Sequence, residues 1–115
     1  MAALQAQGKP VFVNFTAAWC ITCIANERVA LSRQEVKDAF ARLGVVYLKA
    51  DWTNRDSRIA KALAEQGRAG VPLYLFYPAR KEAQAEILPQ LLTVDGLIAA
   101  AERAAGRNAK TAALP

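Results

Sequence analysis

The chain has 115 residues, of which 54% are hydrophobic and 22% charged, and its net charge is +5. This length suits one domain that buries roughly two-thirds of its unfolded surface around a single core. Its apolar runs fall far short of the roughly 20 residues that a transmembrane helix needs. The final segment, residues 103–115, contains three basic residues and no acidic one: Arg103, Arg107 and Lys110. The chain has no run of basic residues interleaved with aromatic residues. This distribution argues against nucleic-acid binding.

The first ten residues, MAALQAQGKP, contain neither the basic nor the apolar region of a secretory signal peptide. If the domain works outside the cytoplasm, we expect its targeting information to lie in sequence beyond this chain. The predicted organisation is an N-terminal extension at residues 1–8, one domain over residues 9–105, and a flexible basic tail at residues 106–115.

The first half of the domain has a strand-helix-strand pattern. The apolar run Val11–Thr16 predicts a buried strand that is covered on both faces. Helical periodicity follows over residues 24–31, and the sequence Ser-Arg-Gln-Glu at 32–35 predicts a capping box for a second helical piece that ends at Gly44. A second strand is predicted at residues 45–50, and a helix at residues 57–66 follows a polar loop. This spacing predicts parallel neighbouring strands.

The second half predicts a hairpin and a final helix. Residues 73–77 form the third strong strand pattern, and a turn at Pro78 with a charged tip at residues 80–82 leads to a weaker strand at 85–88. We expect these two strands to be antiparallel. Thr93 is placed to cap a last helix over residues 94–105, which carries an apolar stripe.

Both cysteines lie between the first strand and the following helix, in the segment Trp19-Cys20-Ile21-Thr22-Cys23. Two thiols at positions i and i+3 can close into a disulfide and reopen while the rest of the fold stays in place. Unpaired backbone N–H groups and the helix dipole favour a thiolate at the first of them. Cys20 is therefore the candidate nucleophile and Cys23 the candidate resolving thiol.

The sequence favours three other uses of the cysteine pair less. A purely structural disulfide would contribute only about 2 kcal/mol, because the loop it closes is so short. A zinc site would need a metal-bridged dimer, since the chain has no His and no further Cys. Haem attachment through C-x-x-C-H is excluded because residue 24 is Ile. A C-x-x-C pair beside a strand-helix unit favours redox chemistry.

With WCITC at residues 19–23 and Val71-Pro72 ahead of the third strand, the chain resembles the thioredoxin superfamily over residues 9–105. The segments FVNFTAAWCITC, NERVALS, YLKADWTNRD and GVPLYLFYP are most similar to the C-terminal thioredoxin-like domain of the DsbD family of bacterial thiol:disulfide interchange proteins. The resemblance implies an α/β thioredoxin fold, whose central mixed sheet of about four to five strands has helices on both faces.

The resemblance also implies site residues beyond the cysteines. Val71-Pro72 corresponds to the cis-proline of the family, which would lie against the cysteines and leave the Val71 backbone free to pair with an extended substrate segment. Trp19 is expected to pack beside the disulfide and cover it. Ile21 and Thr22 are expected to tune thiol pKa and redox potential.

Two polar residues are predicted to support the chemistry. Glu27 falls on one helical stripe with the cysteines, and the DsbD-like domain has an acid at the matching place, so Glu27 could carry the Cys23 proton or raise the Cys23 pKa; the alternative is a solvated surface Glu. Asn14 stands where thioredoxins have a buried Asp, and Asn cannot titrate. Trp52 is either a loop anchor or part of a partner surface.

The resemblance implies a thiol:disulfide oxidoreductase module without metal, flavin or nucleotide. A membrane-embedded thiol domain would reduce it, and it would reduce the disulfides of periplasmic partner proteins, as a monomeric domain of an inner-membrane protein. Two alternatives stay open. One is a free-standing thioredoxin-like reductase or oxidase, and the other is a non-catalytic interaction module with a permanent disulfide.

Overall fold

The computed structural model describes residues 8–68, 70–79 and 84–106. Within these residues the chain forms β1 (Val11–Thr16), α1 (Ile21–Asn26) and a π-helical turn (Glu27–Leu31), α2 (Gln34–Leu43), β2 (Val46–Asp51), α3 (Ser57–Glu65), β3 (Leu73–Tyr77), β4 (Glu86–Ile87) and α4 (Val94–Ala104). No helix in these ranges has the length and apolar character of a membrane span.

The described strands form one mixed sheet in the order β2-β1-β3-β4. β1 is parallel to β2 and antiparallel to β3, and β3 is antiparallel to β4. The parallel pair is the predicted strand-helix-strand unit, and the β3-β4 pair is the predicted hairpin. The α/β fold with a mixed central sheet is therefore confirmed.

Apolar clusters cover both faces of the sheet because side chains alternate along β1. Phe12 packs on one face against α2 and α4, while Val11, Val13 and Phe15 pack on the other face against α3. All four side chains are buried. Asn14 is also buried and shares the face of Phe12, so β1 brings one polar side chain into the apolar interior below α1.

The strand directions bring three distant segments to one edge of the sheet. Thr16 at the end of β1 lies opposite Asp51 at the end of β2, and Phe15 lies opposite Leu73 at the start of β3. The segments that meet at this edge are the cysteine segment after β1, the loop at residues 52–56 after β2, and Val71-Pro72 before β3. Parallel and antiparallel pairing together therefore position the site.

The predicted capping box at residues 32–35 is wrong. Ser32 has helical dihedral angles and ends the π-helical turn, with its hydroxyl 3.4 Å from the Arg28 carbonyl oxygen. Arg33 takes the extended N-cap position of α2, and its side chain makes no capping hydrogen bond. Glu35 pairs with Arg33 at 3.4 Å instead of reaching back to Ser32. The preceding helix continues one residue too far for Ser32 to adopt the extended conformation that an N-cap requires.

Other predicted boundaries agree closely. Gly44 ends α2 with a φ of 70°, in the left-handed region that favours glycine. Thr93 caps α4, because its hydroxyl oxygen accepts a hydrogen bond from the Gly96 N–H at 3.0 Å. Predictions for residues 1–7, for the hairpin tip at 80–82 and for the tail from residue 107 onward lie outside the described residues.

Candidate functional site

Cys20 and Cys23 form a disulfide at the start of α1, with their Cα atoms 5.2 Å apart. Cys20 is the N-cap residue, and its sulfur accepts a hydrogen bond from the Cys23 backbone N–H at 3.1 Å. The same N–H group can stabilise a thiolate on Cys20 after reduction, because N–H groups in the first turn have no partner within the helix. The cysteine pair therefore lies at the N-terminus of a helix, as the sequence predicts.

An apolar surface surrounds the disulfide. Val71 packs against the buried cluster of Ala17, Cys20 and Cys23, and the Val71-Pro72 peptide bond is cis. Trp19 is 46% exposed and Ile21 is 83% exposed, whereas Cys20 itself is only 7% exposed. The neighbours of Cys20 thus make an exposed apolar surface, and the two cysteines are buried beside it.

A loop that follows β2 holds the segment before the disulfide. The Thr53 hydroxyl oxygen accepts a hydrogen bond from the Ala18 N–H at 2.8 Å, and the Thr53 carbonyl oxygen accepts one from the Trp19 indole N–H at 2.9 Å. Asp51 in turn accepts hydrogen bonds from the hydroxyl and the backbone N–H of Thr53. These bonds hold the pKa of the exposed Asp51 carboxyl below its usual value.

Two tryptophans and an arginine lie close together at this loop. The Trp19 and Trp52 rings have centroids 5.9 Å apart. The Arg55 guanidinium lies 4.8 Å from the Trp19 centroid and 5.3 Å from that of Trp52. Trp52 is buried in the core cluster that contains Leu63, so it anchors the loop. Of the two interpretations considered for Trp52, the structure supports the loop anchor.

A cavity of about 270 Å³ opens beside Cys23. Cys23, Asn14 and Glu27 all contribute to its wall, and the charged residues Arg28, Lys49 and Asp51 line it as well. One cavity therefore brings Asn14, Glu27 and Cys23 together, with Glu27 exposed and Asn14 buried. The cavity therefore places polar and charged side chains beside Cys23.

Asn14 is bonded to a residue that the sequence did not single out. Its side-chain nitrogen donates a hydrogen bond to the Tyr47 hydroxyl at 2.7 Å. Burial raises the pKa of Tyr47 above its usual value; the Asn14 hydrogen bond lowers it in part, and the charge of Glu27 raises it. Tyr47 is therefore a neutral phenol at physiological pH. The available signal was its place on β2, two residues before Lys49, which lies opposite Asn14, so that Tyr47 and Lys49 share one face of the sheet.

Asn26 is a second residue that sequence reasoning missed. This buried side chain donates to the Tyr74 hydroxyl at 2.9 Å and to the Gln90 carbonyl oxygen at 2.7 Å, and it accepts from the Leu92 N–H at 3.0 Å. It connects α1 to β3 and to the segment before α4. The only sequence signal was an Asn in an amphipathic helix, three residues after Cys23, where an apolar residue is more usual.

A comparison with protein families matches residues 1–79 to the model described as thioredoxin-like. The chain belongs to the thioredoxin-like family. A curated relative, the thiol:disulfide interchange protein DsbD of Yersinia enterocolitica, is 36% identical over 75 residues. That match covers 65% of this chain but 13% of the relative, so the chain spans a small part of the protein it resembles.

Solved structures of the DsbD C-terminal domain from Neisseria meningitidis match over most of the chain. The oxidised form is 28% identical with a TM-score of 0.68, covering 84% of this chain and 81% of that domain. The reduced form is 26% identical with a TM-score of 0.70, covering 88% and 86%. The resemblance to the DsbD C-terminal domain that the motifs indicated is thereby confirmed.

Proposed function

We propose that this domain is a thiol:disulfide oxidoreductase module that reduces the disulfides of partner proteins through Cys20 and Cys23. The observation that carries the proposal is the Cys20–Cys23 disulfide at the start of α1, with Val71 packed on it and exposed Trp19 and Ile21 around it. The similarity to DsbD, a thiol:disulfide interchange protein by name, supports the same chemistry. The electrons are carried by the cysteine pair itself.

In the reducing direction, the Cys20 thiolate attacks one sulfur of a partner disulfide. The partner S–S bond breaks, a mixed disulfide forms with Cys20, and the departing partner thiolate takes up a proton. Cys23 then loses its proton and attacks the Cys20 sulfur, which releases the second partner thiolate and closes the Cys20–Cys23 disulfide. Two electrons have passed from the domain to the partner.

Glu27 is the proposed acceptor of the Cys23 proton, because this carboxylate at the start of the π-helical turn shares a cavity wall with Cys23. Asn14 lies on the same wall but cannot accept a proton. Glu27→Gln is expected to slow the closing step about 10²-fold, while formation of the mixed disulfide is unaffected. Glu65→Gln on α3 is a matched control, because α3 packs on the opposite face of the sheet.

The surface around Val71 is the proposed docking site for an extended partner segment. Such a segment would pair with the free Val71 backbone and contact Trp19, while Ile21 and Thr22 would tune the redox potential. By resemblance to DsbD, the electron donor is a membrane-embedded thiol domain and the partners are periplasmic. Purified donor domain should then reduce the disulfide of this chain, and should form no covalent adduct with a Cys20→Ala variant.

A trapping experiment tests the roles of the cysteines. Cys23→Ala should accumulate a mixed disulfide between Cys20 and a partner, detected as an adduct that reductant removes. Cys20→Ala is the control and should form none. Equal adduct formation by both variants would contradict the assigned roles.

The redox potential tests the direction of electron flow. Equilibration with glutathione or dithiothreitol should give a value near that of thioredoxin, roughly −270 mV. A value near about −120 mV would instead make the domain an oxidant. A disulfide that never equilibrates would overturn the catalytic proposal in favour of a structural bond.

A further inference from the structure

Arg55 is an exposed cation whose side chain lies against two aromatic rings. Its guanidinium carbon is 4.8 Å from the Trp19 centroid and 5.3 Å from the Trp52 centroid. A guanidinium that rests on an aromatic ring keeps its in-plane N–H groups available for hydrogen bonds. Within the described ranges, the Arg55 side chain forms no ion pair with a carboxylate.

The acidic residues nearest to Arg55 in the sequence are bound to other groups. Asp51 accepts hydrogen bonds from the hydroxyl and the backbone N–H of Thr53. Asp56 accepts the Arg58 backbone N–H at 2.7 Å and pairs with the Arg58 guanidinium at 3.1 Å. The loop therefore presents the Arg55 cation without neutralising it.

The backbone holds Arg55 in a defined position. Its φ is 53°, in the left-handed region that residues other than glycine seldom adopt, and its N–H donates to the Trp52 carbonyl oxygen at 2.9 Å. A backbone conformation of this kind persists where the surrounding contacts impose it, and such positions are common at functional sites.

Arg55 borders the surface beside the disulfide on two sides. Trp19, under its guanidinium, directly precedes the first cysteine. The Trp52 ring lies beside the proline segment, since a Cβ on Gly70 would be 3.6 Å from its Cζ3 atom, and Val71 is the next residue. The cation therefore lies at the edge of the surface proposed to receive the partner.

We propose that Arg55 binds a side-chain carboxylate of the docked partner segment, so that the domain favours partner disulfides with an Asp or Glu close to the reacting cysteine. This inference rests on the proposed function, because it names a chemical feature of the segment that Cys20 attacks. Trp19 and Ile21 supply exposed apolar contacts at the same surface. The planar guanidinium can receive a carboxylate with two parallel hydrogen bonds, which adds charge complementarity to those contacts.

The test uses the full chain with Cys23→Ala, in which Cys20 is the one thiol of the sequence. The probes are short peptides whose single cysteine carries a pyridyl disulfide. The Cys20 thiolate attacks the peptide sulfur, the bond to the pyridyl sulfur breaks, and the released pyridinethiolate takes up a proton to give the thione. Thione absorbance then reports the rate at which the mixed disulfide forms. One Glu is placed in turn at each position near the peptide cysteine, and each peptide is compared with its Gln counterpart.

At the best position, the Glu peptide is expected to react about fivefold faster than the Gln peptide, the effect of one well-formed exposed ion pair. Arg55→Gln should remove this preference, and Arg55→Glu should replace it with a preference for Lys at the same position. Added salt should weaken the preference of the Arg55 chain, because an exposed pair is screened.

Arg58→Gln is the matched control. It removes the same charge from a nearby exposed residue whose guanidinium is already paired with Asp56, so the preference for Glu should be kept. Dipyridyl disulfide, a small disulfide without a carboxylate, measures the reactivity of Cys20 itself. Its rate should be the same with and without Arg55→Gln, which also shows that the variant is folded around Cys20.

Equal rates for the Glu and Gln peptides at every position overturn the inference, and so does a preference that survives Arg55→Gln. If Arg55→Gln slows dipyridyl disulfide as much as the Glu peptide, Arg55 acts on the Cys20 thiolate and the inference is again overturned. The proposed function is tested separately with the reduced chain that has both cysteines, which should go on to release the peptide thiol. If it does not, while the preference for Glu holds in Cys23→Ala, the proposed function fails and the carboxylate contact stands; the reverse pattern rejects only the contact.

Discussion

Asn26 and Asn14 are both buried asparagines whose side-chain nitrogen donates to a tyrosine hydroxyl, yet they differ at the oxygen. Asn26 accepts a hydrogen bond from the Leu92 N–H, whereas Asn14 leaves its oxygen without a partner in the described part of the chain. The satisfied amide joins three elements of the fold. The unsatisfied one lies in the wall of the Cys23 cavity. Asn26, with every polar atom paired, stabilises the fold. The unpaired oxygen of Asn14 lowers the stability of the fold at a position close to the cysteine pair.

The largest expected effect is that of Asn26→Leu. It leaves the Gln90 carbonyl, the Leu92 N–H and the Tyr74 hydroxyl without their partner in a buried region, so the free energy of unfolding should fall by about 3 kcal/mol. Urea denaturation of the oxidised protein measures it. If Asn26→Leu and Asn14→Leu lowered the free energy of unfolding by similar amounts, the proposed distinction between the two amides would be wrong.

Tyr74→Phe isolates one bond of the same network. Tyr74 is 1% exposed, and its hydroxyl receives only part of the donor capacity of Asn26, which keeps its bond to Gln90. We expect the free energy of unfolding to fall by about 1 kcal/mol. The same denaturation series gives the value, and Asn26→Leu combined with Tyr74→Phe should show less than the sum of the two effects.

Asn14→Leu should cost the least of the three, less than about 1 kcal/mol of unfolding free energy, because it removes an unpaired oxygen together with a single hydrogen bond. Tyr47 is 42% exposed, so water can replace the lost donor. The adjoining cavity can accept the larger side chain. A large destabilisation would mean that Asn14 is chiefly structural.

The smallest effect on stability is expected for Asp51, an exposed carboxylate that lines the cavity beside Cys23. The pKa of Asp51 is lowered by the hydrogen bonds from Thr53, so Asp51 stabilises the fold above its unfolded-state pKa of about 4 and loses that contribution as the pH falls through its lower folded-state pKa. Asp51→Asn should therefore be less stable than the unmodified chain at neutral pH and equal to it in acid. A difference that grows toward acid would contradict this sign. Thr53→Val, which removes the hydroxyl donor but keeps the backbone N–H donor, should show a pH dependence of the same sign and smaller size.

The strands, the helix after the cysteines and the hairpin were predictable because each depends on local periodicity and turn residues. The failure of the capping box was not predictable in this way. Residues 32–35 match the motif, but Ser32 forms the C-terminal end of the preceding π-helical turn and so cannot cap the next helix. The hydrogen bonds of Asn14 to Tyr47 and of Asn26 to Gln90 join residues 33 and 64 positions apart, and no local pattern encodes them.

By itself the sequence determined the cysteine pair and the helix that begins at it, because thiol spacing and helical periodicity are local. The position of the proline segment against the cysteines followed only from the resemblance to the DsbD family. Only the tertiary structure decided which polar atoms surround Cys23. Sheet pairing placed Tyr47 beside Asn14, and the packing of α1 on β1 enclosed the cavity. Hydrogen-bond partners of buried groups depend on distances across the fold, and those distances exist only after the chain has packed.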